Sequence, residues 1–317
     1  MNYQKIPFNE YIFVDSYEKL VKEINHPNLL YVPLEAIEPA FKLIQSRPNE
    51  KFIVVSACSD YGLEYQSQNP INKDLRKINQ FIQWDKIEGH EQYVHLNIPA
   101  AIYDKCRIED KISVKIYGFT CFTFNEKPPN LIKWFCTNSN VDEDGVAWIP
   151  FGVNNDGPGS SLIEQNFGSS KKHVLYVNLQ NTTIQRATLK DWYKNQNVDW
   201  PMNTLVYRDK PNLPVLQYLQ ELSASEFVLS PRGNGLDCYR VLECIYAGSV
   251  PVMEESRFSL KYIEVGLPVL LANNLFALTL QRLGEAKARF GESKFNYDTV
   301  KLSYWKNILE NSVKELD

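Results

Sequence analysis

Residues 227–253 read FVLSPRGNGLDCYRVLECIYAGSVPVM, a strand, a glycine-containing loop, a helix and a second strand in succession. The apolar run 227–229 is typical of a strand that is buried in a parallel sheet. Gly248 suits the position just after the C-terminus of the helix, and residues 249–253 form the next strand. This order predicts a β/α unit of a parallel sheet.

The rest of the chain alternates short apolar runs with helical patterns in the same way. We predict further strands at residues 11–14, 29–32, 52–56, 93–97, 114–119, 132–137, 173–179, 204–207 and 269–271. We predict helices at residues 16–24, with Ser16 as the N-cap, 37–45, 187–196, 213–223 and 298–316. The expected fold class is α/β, with two Rossmann-like domains that each contain a parallel sheet.

The domain organisation follows from length and composition. A chain of 317 residues is long enough for two domains. Residues 138–170 are rich in Asn, Asp, Gly, Pro and Ser, which indicates loops and a junction. We therefore expect an N-terminal domain at residues 1–155, a C-terminal domain at residues 156–297 and a C-terminal helix at residues 298–317.

Charge and hydropathy exclude several classes of function. Lys and Arg total 34 against 38 Asp and Glu, so the net charge of −4 provides no basic field for nucleic acid or an anionic membrane. No apolar stretch of signal-peptide length follows the N-terminus, and the longest hydrophobic region, 267–280, is interrupted by Asn273 and Asn274. We expect no nucleic-acid partner and no integral membrane segment.

The cysteines and histidines show no metal-ligand pattern. The six cysteines include no Cys-x-x-Cys pair, which argues against both a zinc site and a disulfide framework. His90 and His95 are five residues apart and would not share a helix face. We predict no metal-ligating residues and a cytoplasmic location in a reducing compartment.

The glycine loop has the features of an anion site. Gly233 and Gly235 permit backbone angles and a close approach that side chains would prevent. The helix start that follows presents free N–H groups and a positive dipole, and Arg232 adds a forked charge. Asp237 lies near the start of this helix. The loop is therefore a candidate cradle for a diphosphate.

Arg240 and Glu243 lie on this helix at a three-residue step and can share one face. A solvent-exposed ion pair is the alternative interpretation. Their position at the carboxyl end of a parallel strand, where open α/β sheets bind ligands, favours a nucleotide site. The spacing Gly233-x-Gly235-x-x-Cys238 lacks the third small residue of a dehydrogenase dinucleotide-binding loop, which argues against that class.

Residues 230–252 closely resemble the C-terminal signature of exostosin-type glycosyltransferases, in which Pro-Arg-Gly, a following Arg, a Glu and Gly-x-x-Pro-Val recur. Residues 133–138, 149–153 and 175–186 look like further segments of that family. The resemblance covers about residues 130–272 in order, and the N-terminal part matches only loosely, through residues 54–60.

This resemblance implies the GT-B fold, with the donor bound mainly by the second domain, the acceptor bound by the first, and a C-terminal helix that crosses back to the first. It also implies an inverting transfer of a sugar from a nucleotide-diphosphate sugar, most simply a UDP-sugar, to a glycan or other hydroxyl acceptor. A non-catalytic nucleotide- or glycan-binding module of the same fold is the alternative. No tightly bound cofactor is expected, because the nucleotide sugar is a substrate; a divalent-metal requirement stays open.

The resemblance also assigns roles to residues. By the family's motif, Arg232, Arg240 and Glu243 would line the donor site, with Arg186 close by. The glycine loop adds Gly233, Asn234, Gly235 and Asp237 to the predicted donor site. Glu243 would accept hydrogen bonds from ribose hydroxyls, and the arginines would neutralise the diphosphate.

An inverting transfer needs a base on the acceptor side, and Asp60, which follows the predicted strand 52–56, is our candidate. A turn-forming role for Asp60 is the alternative. Residues 142–144, Asp-Glu-Asp, resemble the Asp-x-Asp metal motif of another glycosyltransferase fold, but we interpret them as a loop cluster because no strand end precedes them.

Overall fold

Two units, each with its own parallel sheet, make up the chain. The computed structural model describes residues 3–58, 62–65, 96–99, 118–124, 126–139, 141, 145–154, 163–165, 167, 169–196, 200–209, 212–233 and 235–317. The first unit comprises Ile12–Phe151, Asn234–Asp237 and Leu302–Asp317. The second unit comprises Met1–Tyr11, Gly152–Gly233 and Cys238–Lys301.

Strands and helices alternate along most of the described chain. The strands are β1 (Leu29–Tyr31), β2 (Phe52–Ser56), β3 (Gly62–Tyr65), β4 (Leu96–Pro99), β5 (Gly118–Phe124), β6 (Leu131–Cys136), β7 (Val146–Trp148), β8 (His173–Asn178), β9 (Leu205–Arg208), β10 (Ser225–Leu229), β11 (Val250–Glu254) and β12 (Leu270–Ala272). The helices are α1 (Ser16–Ile24), α2 (Ile37–Gln45), α3 (Ile184–Gln196), α4 (Val215–Ser223), α5 (Tyr239–Tyr246), α6 (Arg257–Glu264), α7 (Leu280–Glu292) and α8 (Leu302–Val313). This pattern confirms the predicted α/β class.

The first unit contains a four-stranded parallel sheet in the order β1-β2-β6-β7 and a three-stranded parallel sheet in the order β3-β5-β4. Every residue of β2 is buried, as a central parallel strand requires. Ile37 and Ile44 of α2 pack with Phe52, Val54 and Trp134 to form the core on this sheet. The core therefore follows the apolar periodicity of the sequence.

The C-terminal helix α8 belongs to the first unit, although the chain reaches it from the second. Lys133 on β6 extends its ammonium group to Ser312 Oγ at 3.2 Å and Glu315 Oε1 at 2.5 Å. Lys306 on α8 pairs with Glu23 on α1. The expected return of the C-terminal helix to the first domain is confirmed.

The second unit contains a five-stranded parallel sheet in the order β12-β11-β10-β8-β9. β10 is central and fully buried, with Phe227 opposite Leu175 on one side and Val250 on the other. Gly248 has a φ of +73° just after the C-cap residue of α5, which confirms the expected glycine at that position. The stretch 227–253 thus forms the middle of this sheet.

The predicted strand at residues 11–14 is wrong. The Tyr11 ring stacks on Tyr246 instead, with centroids 3.9 Å apart and planes 6° from parallel, and this contact fastens the N-terminal segment to the second unit. The prediction that Ser16 caps α1 is also wrong. Asp15 occupies the N-cap, and Ser16 is the first helical residue, whose Oγ accepts a hydrogen bond from the Phe13 N–H at 2.8 Å.

Two strands, β3 and β7, were not predicted from the sequence, because each is only three or four residues long and follows or lies within polar loop sequence. The predicted strands at 93–97 and 114–119 lie partly outside the described residues. None of the helices among the described residues is long and apolar enough to cross a membrane.

Lys171 links three elements of the second unit, through the last residue of α4, the first residue of β10 and the residue before β11. Its ammonium group donates to Ser223 O at 2.7 Å, to Ser225 O at 2.9 Å and to Ser249 Oγ at 2.9 Å. Burial lowers the pKa of Lys171 to about 8, so the side chain is still protonated at pH 7 and can make all three bonds. The lysine therefore provides the hydrogen-bond donor that the Ser223 and Ser225 carbonyl groups would otherwise find in water.

Replacing Lys171 with Met, which keeps the apolar stem, should destabilise the protein by about 1.5 to 3 kcal/mol, because two carbonyl groups lose a charged donor. Urea unfolding followed by circular dichroism measures the change. The matched control is Lys172→Met at the neighbouring exposed lysine, which should change stability by less than about 0.5 kcal/mol. Equal effects of the two variants would contradict the structural role of Lys171.

Candidate functional site

The sheet of the second unit has a topological switch point between β8 and β10. From β8 the chain passes outward to β9 on one side, whereas β10 lies on the other side and continues to β11. The loops after β8 and after β10 therefore leave the carboxyl edge of the sheet in different directions, and open α/β sheets bind ligands in the crevice between such loops. The β10 loop contains predicted donor-site residues, and Arg186 lies in the first turn of α3, just after the β8 loop.

The β10 loop begins where the strand ends. The Ser230 N–H donates to Val252 O on the neighbouring strand at 2.8 Å, and Pro231 then has no N–H to donate. The carbonyl groups of Pro231 and Arg232 turn instead toward the β8 loop. Cys238 occupies the N-cap of α5 in an extended conformation and completes the loop.

Arg186 connects the two loops. Its Nε donates to Arg232 O at 2.8 Å and its Nη2 donates to Pro231 O at 2.8 Å. The position of Arg186 is set in turn by Thr183, whose Oγ1 accepts a hydrogen bond from the Arg186 N–H at 3.2 Å, as an N-cap residue does for the third residue of a helix. The side chain of Arg186 is buried, and its planar fork donates to both carbonyl groups at once.

Gly233 provides the space that this fork needs. A Cβ atom at Gly233 would lie 3.3 Å from Arg186 Nη2. The φ of Gly233 lies outside the left-handed region, so the expectation of an unusual backbone angle at this residue is wrong. The group that lies close to Gly233 is the Arg186 guanidinium, and the expected close approach of a diphosphate to this loop stays a prediction.

The loops concentrate positive charge. Burial lowers the pKa of Arg186, and the charge of Arg240 lowers it further. Arginine stays protonated in proteins, so both groups remain cations. Arg232, which is also buried, adds a third cation to the same loop. This arrangement suits an anion such as a diphosphate.

Arg240 and Glu243 on α5 are brought together by Tyr218 on α4. The Tyr218 hydroxyl donates to Glu243 Oε2 at 2.6 Å and lies 3.4 Å from Arg240 Nε. Arg240 also approaches Leu229 O at 3.4 Å, and its Cζ lies 5.9 Å from the centre of the Tyr218 ring. All three side chains are partly buried. The alternative of a fully solvated Arg240–Glu243 pair is therefore wrong.

The environment perturbs both acids of this cluster. Burial raises the pKa of Glu243, while the hydrogen bond from Tyr218 and the charge of Arg240 oppose that rise. Burial and the charge of Glu243 raise the pKa of Tyr218. Tyr218 is therefore a neutral donor, and Glu243 depends on its two neighbours to remain ionised.

Sequence reasoning missed Tyr218, Gln185 and Glu254. Tyr218 belongs to a predicted helix, but nothing in the sequence showed that it faces α5. Gln185, beside Arg186, donates to Glu254 Oε2 at 2.6 Å at the end of β11. The only available signal was the position of Gln185 and Glu254 after strands, where ligand-binding loops begin.

Asp237 makes hydrogen bonds within the first unit. Its Oδ2 accepts from the Phe151 N–H at 3.1 Å, and its own N–H donates to Asn138 Oδ1 at 2.6 Å. Asp237 is 3% exposed, and these bonds fix residues 138 and 151. Its expected part in donor binding stays a prediction.

Asp60, Asn234 and residues 142–144 lie outside the described residues. The predicted roles of Asp60 and Asn234 stay predictions. Within the part of the chain that is described, no three His, Cys, Asp or Glu side chains cluster as a metal ion would require.

A cavity of about 480 Å³ lies at the opposite, amino-terminal edge of the second sheet, with Tyr3, Phe167 and Lys171 among its walls. Its charged groups are already engaged: Lys171 makes the three hydrogen bonds described above, and Lys287 pairs with Glu226. The carboxyl edge is therefore the better candidate for an anion site.

Comparison with known proteins adds one match. Residues 206–262 match a family model described as the RXYLT1 C-terminal domain. No curated protein matches the chain. The matched stretch runs from β9 to α6 and contains every predicted donor-site residue except Arg186. The match supports an exostosin-like glycosyltransferase family.

We expect Gly233→Ala to displace the Arg186 fork, because the added methyl group would lie against Nη2. The protein should lose about 1 kcal/mol or more of stability, the cost of straining a well-packed site. The control is Gly284→Ala on α7, where a Cβ meets nothing within 4 Å and should stabilise the helix by about 0.5 to 1 kcal/mol. Thermal unfolding of both variants measures the difference, and stabilisation by both would show that Gly233 provides no needed space.

Proposed function

We propose that this chain is an inverting glycosyltransferase of GT-B architecture, which transfers a sugar from a UDP-sugar to a hydroxyl acceptor such as a glycan. The observation that carries the proposal is the convergence of Arg186 on α3, Arg232 on the β10 loop, and Arg240 and Glu243 on α5 at the switch point of a parallel sheet. The match of residues 206–262 supports the same class of enzyme.

The arginines would serve the leaving group. In an inverting transfer the acceptor oxygen attacks the anomeric carbon, the bond to the diphosphate breaks, and the diphosphate keeps the electron pair. Negative charge therefore grows on the diphosphate in the transition state, where fixed cations stabilise it most. Arg232 and Arg240 would contact the phosphates, and Arg186 would hold the loop in place.

Glu243 would recognise the nucleoside. Among the described residues, the Tyr218 hydroxyl is the only hydrogen-bond donor to its carboxylate, and it occupies Oε2. Oε1 is therefore available to a ligand. A carboxylate accepts hydrogen bonds from hydroxyl groups, and the two adjacent hydroxyl groups of ribose present donors to it.

Deprotonation of the acceptor requires a base, and we propose Asp60. It follows β2 closely in sequence, and open α/β sheets bind ligands at the carboxyl ends of their strands. Its carboxylate would take the hydroxyl proton as the new bond to the anomeric carbon forms. The first unit would thus supply the acceptor side of the reaction.

Arg240→Ala should weaken UDP binding by about tenfold or more, since a hydrogen bond to a charged group contributes about 1.5 to 3 kcal/mol. Isothermal titration calorimetry measures the affinity, and circular dichroism confirms that the variant folds. The control is Arg289→Ala on α7, which removes an arginine that lies over the Phe290 ring. If Arg240→Ala and Arg289→Ala bind UDP equally well, Arg240 is not part of the site.

Asp60→Asn keeps the size of the side chain but cannot accept the acceptor proton, so the transfer rate should fall by about 10² to 10⁴. UDP affinity should barely change. The assay follows UDP release from nucleotide sugars with and without acceptor sugars. A rate within a few-fold of the wild type would eliminate Asp60 as the base, and a loss of both rate and affinity would indicate the turn-forming role. Wild-type protein that binds UDP but produces no UDP from any nucleotide sugar would be a binding module and not an enzyme.

A further inference from the structure

Tyr218 contacts both charged residues of the α5 cluster, through different parts of its side chain. The hydroxyl oxygen lies 2.6 Å from Glu243 Oε2 and 3.4 Å from Arg240 Nε, and the ring faces the Arg240 guanidinium at 5.9 Å. The Tyr176 ring on β8 also packs near the Tyr218 ring, with ring centroids 6.2 Å apart. Tyr218 is thus held by packing from the sheet and by polar contacts from α5.

The hydroxyl can act on Glu243 only as a donor. Its pKa is raised well above the ordinary value by burial and by Glu243, so it keeps its proton throughout the neutral range. The groups that face Glu243 are Tyr218 on α4 and Arg240 on α5, and Cys244, next on α5, is buried with a raised pKa that keeps it neutral. Tyr218 and Arg240 are therefore the two neighbours that favour the ionised carboxylate.

We propose that Tyr218 is the positioning residue of the donor site: its hydroxyl binds one oxygen of Glu243 and thereby presents the other oxygen to the vicinal ribose diol of a nucleoside diphosphate. The identity of this ligand rests on the function proposed above. The orientation of Glu243 by Tyr218 does not, since it follows from the contacts of the protein alone.

Tyr218→Phe isolates the hydroxyl. The phenylalanine ring can keep the contacts with Arg240 and Tyr176, while the donor to Glu243 is lost. The matched control is Tyr193→Phe on α3, which removes a buried hydroxyl that donates to Leu275 O at 2.7 Å. Both variants lose one buried hydrogen bond, so a general loss of stability would affect them alike.

The first measurement compares UDP with 2′,3′-dideoxy-UDP by calorimetry, because the two ligands differ only in the diol. The wild type and Tyr193→Phe should prefer UDP by about tenfold or more, the usual penalty for leaving a site's polar group unpaired. Tyr218→Phe should lose most of that preference while its affinity for the dideoxy ligand stays within about twofold. Glu243→Gln should also lose the preference, and adding Tyr218→Phe to it should change little more.

The second measurement needs no ligand. Loss of the Tyr218 donor should raise the pKa of Glu243, so its carboxylate should titrate at higher pH in Tyr218→Phe than in the wild type. NMR of the ¹³C-labelled glutamate carboxyl groups follows this titration, and Glu243→Gln identifies the signal. Only the ionised carboxylate accepts hydrogen bonds from both hydroxyl groups. As the pH is lowered, Tyr218→Phe should therefore lose UDP affinity at a higher pH than the wild type does.

The outcomes separate the two proposals. Wild-type protein that binds neither nucleotide would overturn the proposed function, while the NMR titration would still decide the role of Tyr218. A wild-type preference for UDP that Tyr218→Phe retains in full, or an unchanged Glu243 titration, would overturn the positioning role. If Tyr193→Phe also loses the preference for UDP, general destabilisation explains the effect, and the positioning role of Tyr218 is overturned.

Discussion

The two hydrogen bonds from the Arg186 fork to the Pro231 and Arg232 carbonyl groups are the constraint on which the candidate site depends. They join the first turn of α3, which follows β8, to the loop that follows β10, and the chain leaves these two strands in different directions. Because backbone carbonyls accept the bonds, the geometry of the β10 loop is fixed independently of its side chains. Gly233 suits this position because a Cβ atom there would lie only 3.3 Å from Arg186 Nη2, a contact tight enough to displace the guanidinium group.

The cluster of Tyr218, Arg240 and Glu243 depends on opposing effects on the charge of Glu243. Burial disfavours the ionised form of Glu243, while Tyr218 and Arg240 favour it, and the three groups lie in contact between α4 and α5. A carboxylate held in this way is partly desolvated and has a fixed orientation, both of which strengthen its hydrogen bonds to a ligand. The site thus combines a cationic loop for an anion with an oriented acceptor for hydroxyl groups.

Much of the second sheet was predictable because its strands are apolar throughout. β8, β10 and β11 lie in the middle of a parallel sheet, and such strands must be hydrophobic on both faces. The errors occurred where apolar residues pack without strand pairing, as Tyr11 does on Tyr246, or where strands are very short, as β7 is. The prediction of Ser16 as the N-cap of α1 was wrong because Asp15, one residue earlier, is an equally good N-cap residue.

The sequence by itself determined the α/β class, the strand–loop–helix unit at residues 227–253 and the candidate arginines and glutamate near one strand end, since hydrophobic period and residue type are local properties. Only the tertiary structure decided which groups meet. The distances from Arg186 to Pro231 O and from Tyr218 to Glu243 join residues 45 and 25 positions apart, so they depend on strand order and helix packing. Side-chain packing selects those contacts, and no local pattern in the chain encodes it.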